Sequence, residues 1–238
     1  LKAAKLPGTP PALADRARAA LDAYVASAEA HGMPFAEIAA RLADGRAALA
    51  IAEVEAQEAR RAGRDPMAEA ACAAGCAFCC VLTGADGGTI TEAEARQLHA
   101  ALAPLAGQPD GRQWHARACP ALDPETRTCR AYDARPRLCR AYHSRDAAAC
   151  EAHVRGEAAA GAGLAGDHPT FLAVHGLARA ALAGRAEVPS FALAELAAAA
   201  VDGADADTAL ARARHPSGAL DAERRRTGKA WRAASARR

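Results

Sequence analysis

An all-α fold is what this sequence predicts, on three observations. Half of the chain is apolar (51% of 238 residues), and that half is largely alanine. Aromatic residues make up only 4% and β-branched residues are few, a balance that favours helix over sheet. Apolar residues also recur at three- and four-residue spacing through both ends of the chain, the period of an amphipathic helix.

The elements follow in order. After Pro10-Pro11, the residues Leu13, Ala17, Ala20, Leu21, Tyr24 and Val25 predict a first helix. A longer run from Phe35 through Ile38, Leu42, Leu49, Ile51 and Val54 predicts a second, ending near Gly63. The two read as an antiparallel pair joined through His31-Gly32-Met33-Pro34. Thr91-Glu92-Ala93-Glu94 has the reciprocal spacing of a capping box, so a third helix is expected to start there and run to about Pro104. The small, glycine-rich stretch 156–169 reads as a flexible connection. Alanine-rich helices are expected over 170–183, 190–201 and 205–213. The basic end, with seven Arg and Lys from Arg224 onward, reads as a solvated or frayed terminus.

A formal net charge of +2 does not point to nucleic acid. No stretch reaches the roughly eighteen apolar residues that span a bilayer. The first fifteen residues lack the apolar region of a signal peptide, so cytosol is the expected compartment and a membrane partner is not expected.

All eight cysteines fall between positions 72 and 150. Cys72, Cys76, Cys79 and Cys80 occupy nine positions, and Cys119, Cys129, Cys139 and Cys150 follow at wide intervals. Disulfides fit poorly with a chain of this length that lacks a secretion signal, and the neighbours Cys79 and Cys80 are badly placed to pair with each other. Inert buried thiols account for isolated cysteines, not for a cluster this dense. Metal ligation remains, and thiolates are the donors that zinc and iron–sulfur clusters prefer. The flanking charge agrees: Arg112, Arg117, Arg127, Arg130, Arg135, Arg137, Arg140 and Arg145 stand against only Asp123, Glu125 and Asp133. Such a field lowers thiol pKa values and offsets the negative charge of thiolates around a metal, although arginines also serve simply to pack elements together.

Taken together, CAAGCAFCC, Cys119-Pro120-Ala121-Leu122, Cys129 ahead of RAYDARPRLCRAY, and Cys150 resemble the YkgJ-type cysteine-cluster proteins, a family of zinc- or iron-chelating domains. The resemblance covers about residues 72–150 and implies ligand status for Cys72, Cys76, Cys79, Cys80, Cys119, Cys129 and Cys139. Cys150 completes the set, although it lies further beyond Cys139-Arg140-Ala141-Tyr142 than the family's last cysteine often does. His143 stands in that gap as another candidate donor.

The second quartet has no Cys-x-x-Cys pair, which tilts the expectation from zinc toward an iron–sulfur cluster. Consecutive side chains point different ways, so Cys79 and Cys80 can serve two sites, and two four-ligand sites are the simplest count. An enzyme is the alternative. Cys72-x3-Cys76-x2-Cys79 has the spacing with which radical S-adenosylmethionine enzymes hold a cluster, though no βαβ alternation is present to build their barrel. Cysteine-cluster regions of the resembled type also occur in lysine N-methylases acting on flagellin, which implies a possible methyl-transfer role.

Of the remaining motifs, Thr83–Gly88 is glycine-rich but lacks the lysine of a phosphate loop, and reads as a turn beside the cluster. His99, His115, His153, His168 and His175 form no close-spaced ligand set. Trp114 is expected to cover the site, and Tyr132 and Tyr142, each three residues past a cysteine, to pack on it or donate to sulfur. The expected organisation is an N-terminal helical pair over 1–66, a cysteine-cluster core over 67–155, and C-terminal helices with a basic tail over 156–238. In this picture a helical bundle clamps a loop-rich, cysteine-lined metal core within one compact domain.

Overall fold

The computed structural model describes residues 5–82, 86–157, 162–164 and 168–235. Among these, ten α-helices follow in order: α1 (Pro11–Ala30), α2 (Phe35–Asp44), α3 (Arg46–Arg61), α4 (Glu92–Leu102), α5 (Arg137–Ala141), α6 (Ala147–Val154), α7 (His168–Ala181), α8 (Leu193–Val201), α9 (Ala206–Ala213) and α10 (Ala219–Ser235). The protein is therefore mostly helical, as its composition predicts. It is not purely so: β1 (Thr89–Ile90) pairs with β4 (Phe191–Ala192), and β2 (Tyr142–Ser144) with β3 (Ala162–Leu164), both antiparallel. The stretch expected to be only a flexible connection thus contributes β3. No helix among the described residues is long and apolar enough to cross a membrane.

The chain divides into two units, each built from separated segments. The first comprises Leu1–Arg64, Gly166–Ser190 and His215–Arg238. Its centre is α7, in which every residue from His168 to Ala178 is buried, because α1, α2, α3 and α10 all pack against it. A helix apolar on all sides is stable only when enclosed in this way. In α1, Pro11 sits in the first turn, where its missing N–H costs nothing, and Leu13, Ala17 and Leu21 form the buried stripe. The single helix expected over 35–63 is broken in two at Gly45, which adopts φ +92 and ends α2 while starting α3. A left-handed residue cannot continue a helix, and glycine reaches that conformation without a Cβ clash.

The basic end also departs from expectation. It forms α10, and the Arg224 side chain is only 2% exposed. Its guanidinium donates to the Pro7 carbonyl at 3.1 Å, to Asp221 Oδ1 at 2.7 Å and to Thr9 Oγ1. The tail therefore anchors the segment ahead of α1. A Cβ on the glycine at 176 would lie 3.2 Å from Arg224 Nε, so a larger residue there would press on this side chain.

The second unit comprises Asp65–Ala165 and Phe191–Arg214. Its apolar base is α4 packed with α8 and α9 around Leu98, Leu102, Phe191, Leu196 and Leu210. Each large side chain removed from water contributes about 2 kcal/mol. The predicted capping box is present: Glu94 N–H donates to Thr91 Oγ1 at 3.4 Å, and Thr91 N–H donates to Glu94 Oε2 at 2.8 Å.

His175, on α7, has a pH consequence for the first unit. Burial holds its pKa down to about 4, and its Nε2 donates to the Pro189 carbonyl at 3.1 Å. In the unfolded chain the ordinary value is 6.5, so as pH falls the unfolded state takes the proton first. Stability from this group is complete above pH 6.5 and falls by on the order of 3 kcal/mol by pH 4. Urea midpoints at pH 7 and pH 4.5 should differ less in His175→Gln, which keeps a donor for Pro189, than in the parent. An unchanged difference would contradict the assignment.

Candidate metal centre

The first cysteine quartet lies on a tightly turning loop. Gly75 (φ +79) and Ala77 (φ +47) are both left-handed, so the backbone turns sharply on either side of Cys76. A short 3-10 turn, Phe78–Cys80, follows. It brings the sulfurs of Cys79 and Cys80 to 4.0 Å, within hydrogen-bond reach of each other. The Ala71 N–H donates to the Ser144 carbonyl at 2.8 Å, tying the start of the loop to β2.

Cys119 and Cys129 belong to a hairpin that grows from the end of this loop. Cys119 N–H donates to the Cys80 carbonyl at 2.8 Å, and Leu82 N–H to the Arg117 carbonyl at 2.8 Å, flanking an antiparallel bridge between Val81 and Ala118. A second bridge joins Leu122 to Cys129. Asp123 Oδ1 closes the turn by accepting from Thr126 N–H at 2.7 Å and Glu125 N–H at 3.1 Å. Each hairpin cysteine receives the backbone N–H two residues ahead: Ala121 donates to the Cys119 sulfur and Ala131 to that of Cys129. Such bonds favour thiolate over thiol.

Cys139 lies on α5. The first N–H of this helix, from Arg137, donates to Glu94 Oε1 at 2.6 Å. Glu94 is 3% exposed, and burial holds its carboxyl above the usual range against these hydrogen bonds. One buried carboxylate thus caps α4 with one oxygen and fixes the start of α5 with the other. Gly88 assists, since a Cβ there would lie 2.0 Å from Leu138 Cδ2, next to Cys139. Gly88 is the last residue of the stretch expected to turn beside the cluster. Its first part, Thr83–Ala85, lies outside the described residues.

Cys150 is buried on α6, whose Asp146 cap accepts from Ala148 and Ala149 N–H. Ser144 on β2 hydrogen-bonds the Cys150 thiol. Residues alternate faces along a strand. Tyr142 and Ser144 therefore share the face toward these thiols. Burial pushes the Tyr142 hydroxyl up to about 12, and Cys150, Cys79 and Cys72 add to the effect. His143 falls on the opposite face of β2, where Asp65 and Arg145 are the charges it feels and burial lowers its pKa.

The thiols influence one another across both sequence quartets, with Cys79 acting on Cys150 as well as on Cys119, Cys129 and Cys139. Cys150 is raised by burial and then by Cys76, Cys79 and Cys72. Cys80 is raised by its hydrogen bond with Cys79, by burial, and by the charges of Cys79, Cys119 and Cys139. Burial pushes Cys119 up to about 12 and Cys139 well above the thiol range, with Cys129 and Cys79 adding to both. Among the described residues, no three His, Cys, Asp or Glu side chains converge as a ready-made metal cage. The donors nonetheless fit a thiophilic ion: eight free thiols, two already receiving backbone N–H bonds, with Arg135 favouring the thiolate forms of Cys79 and Cys129.

Trp114 packs near Phe78, ring centroids 6.5 Å apart, with the Arg127 guanidinium 5.5 Å over the Trp114 ring. It joins the apolar cluster that includes Cys80, Cys119, Cys129 and Cys139. Tyr132 is 60% exposed and stacks under Arg135 at 3.6 Å. His99 and His175 bond backbone carbonyls, of Ala204 and Pro189 respectively. Sequence reasoning missed Glu94 and Ser144 as supports of the thiols, whereas Arg135 belongs to the basic run expected to favour their thiolates. Only Glu94 carried a signal, its capping box, and that signal concealed its second bond.

Cys79 is more readily ionised than its partner Cys80. Its hydrogen bond with Cys80 draws it down to about 7, against burial and helped by its own N–H and Arg135. In the reduced, metal-free protein at pH 7, iodoacetamide should modify Cys79 well before Cys119 or Cys139, as read by peptide mass spectrometry. Preferential labelling of Cys119 would contradict this geometry.

No curated protein and no solved structure gives a significant match to this chain. Residues 71–157, which carry all eight cysteines, match the CxxCxxCC family, described as a "putative zinc- or iron-chelating domain".

Proposed function

We propose that the protein binds zinc or iron through the thiolates of Cys72, Cys76, Cys79, Cys80, Cys119, Cys129, Cys139 and Cys150, and that the helices of its second unit hold this thiolate-lined core. The observation that carries the reading is the interleaving of the two sequence quartets: the Cys80 carbonyl accepts the Cys119 N–H, while Cys79 acts on Cys150. Thiols brought together this closely in a reducing compartment are kept inert by a metal, which makes binding energy part of folding energy. Two four-ligand sites, with ligands shared across the two sequence quartets, are the simplest count for eight thiolates. The Cys79 and Cys80 sulfurs lie 4.0 Å apart.

The protein should be purified without oxygen and its metal, acid-labile sulfide and visible spectrum measured together. The expected result is about two metal equivalents at zinc sites, or iron with sulfide and a broad brown absorption at clusters. Cys80→Ser should lower both metal content and melting temperature. Metal-free protein with eight freely titrating thiols and an unchanged melting temperature would overturn the reading.

A further inference from the structure

We infer that the protein pairs with a second copy of itself through its first unit, the basic outer face of α10 in one copy lying along the acidic outer face of α1 in the other. The pairing is independent of the thiols.

Both helices pack one face against α7 and leave the other in water. On α1 the outer row is Asp15, Ala19, Asp22, Ala26 and Glu29, all exposed. Its carboxylates recur every seven residues, which returns to the same side of a helix about 10.5 Å further along. On α10 the outer row is Ala222, Arg225, Lys229 and Arg232, also exposed. Arg225 and Arg232 likewise stand seven residues apart, so the two rows carry opposite charges at one repeat. The alanines between the acids let a facing helix come close.

Little of this charge is compensated within the chain. Asp15 bonds Arg18 at 2.9 Å with its side chain 75% exposed, and Arg226, beside the basic row, is held by Glu223. Among the described residues, Asp22, Glu29, Arg225, Lys229 and Arg232 take part in no ion pair. Arg225 is also set in place. Gly8, at φ +80, passes so close to its aliphatic stem that a Cβ there would meet Arg225 Cγ. A side chain held before its partner arrives loses less freedom on binding.

The same features select the occupant. The exposed large apolar side chains among the described residues are Phe35, Val54 and Tyr132, none of them on α1 or α10. A helix that binds a bilayer presents such residues beside its cations. A polyanion would meet the basic row and leave the acidic one unmatched. A second copy brings the complement of both, and a two-fold pair makes each contact twice. With a formal net charge of only +2, two copies repel each other weakly. Surface ion pairs contribute little each and are screened by salt, so the pair is weak and salt-sensitive.

The test is sedimentation equilibrium of the full chain. A monomer–dimer equilibrium is expected with Kd on the order of 0.1 mM in about 0.1 M salt, weakened about 10-fold or more in about 1 M, where the Debye length falls from about 10 Å to about 3 Å. Asp22→Lys with Glu29→Lys, and separately Lys229→Glu with Arg232→Glu, should each be monomeric; Arg225 is kept because its stem packs on Gly8. Mixed in equal amounts, the two double variants should dimerise as the parent does, since each supplies the charge that the other lacks. Recovery on mixing also shows that both are folded, and the salt response of the parent decides the matter where one is not. A parent that stays monomeric, a dimer that salt leaves unchanged, or a dimer that persists in either folded double variant would overturn the inference. Binding of a duplex oligonucleotide by a monomeric parent, lost in Lys229→Glu with Arg232→Glu, would overturn it by assigning the basic row to a phosphate backbone.

Discussion

One main-chain hydrogen bond, from Cys119 N–H to the Cys80 carbonyl, is the constraint on which the candidate centre depends. It joins the end of a crowded loop to the start of a hairpin, and so unites two cysteine groups that are far apart in sequence. The loop of the first quartet bends around left-handed residues and has few bonds of its own, and the hairpin of the second contributes only two sulfurs. Joined, they place Cys80 within electrostatic range of Cys119 and Cys139 while its neighbour Cys79 acts on Cys150.

Electrostatics explains why this needs more than proximity. Thiolates brought together raise one another, and burial raises them further, so Cys119 and Cys139 are held in the thiol form unless a cation compensates. The arginine-rich stretch supplies part of that compensation. Arg135 favours the thiolates of Cys79 and Cys129, and Arg130 assists at Cys129. Other arginines in the same run do different work. Arg112 is paired with Asp110 and Asp202, each at 2.7 Å, and Arg145 with Glu69. Burial wins over the nearby guanidinium at Cys129, whose thiol still lies above its ordinary value.

How far the sequence carried can be judged at particular residues. Helical periodicity placed α1, α4, α7, α8 and α9 close to where they lie, because each has a strong apolar stripe or a recognisable cap. It failed at Gly45, where the apolar pattern runs unbroken through a residue whose φ of +92 ends one helix and begins the next. It also failed for α10, because Arg224 looks like a surface charge until its bonds to Pro7 and Thr9 are seen. For the centre, cysteine spacing and resemblance named the thiols but not how the fold brings them together. That depends on pairings such as Cys80 with Cys119 and on the facing of β2, which puts Ser144 toward Cys150 and His143 away from it. Such long-range register leaves little trace in composition.

The most direct measurement is X-ray absorption at the zinc and iron edges of the protein as purified. The account predicts a coordination shell made only of sulfur, at the roughly 2.3 Å expected for thiolate ligands. A shell containing nitrogen or oxygen in place of sulfur would mean that the eight thiols do not together hold the metal, and would contradict it.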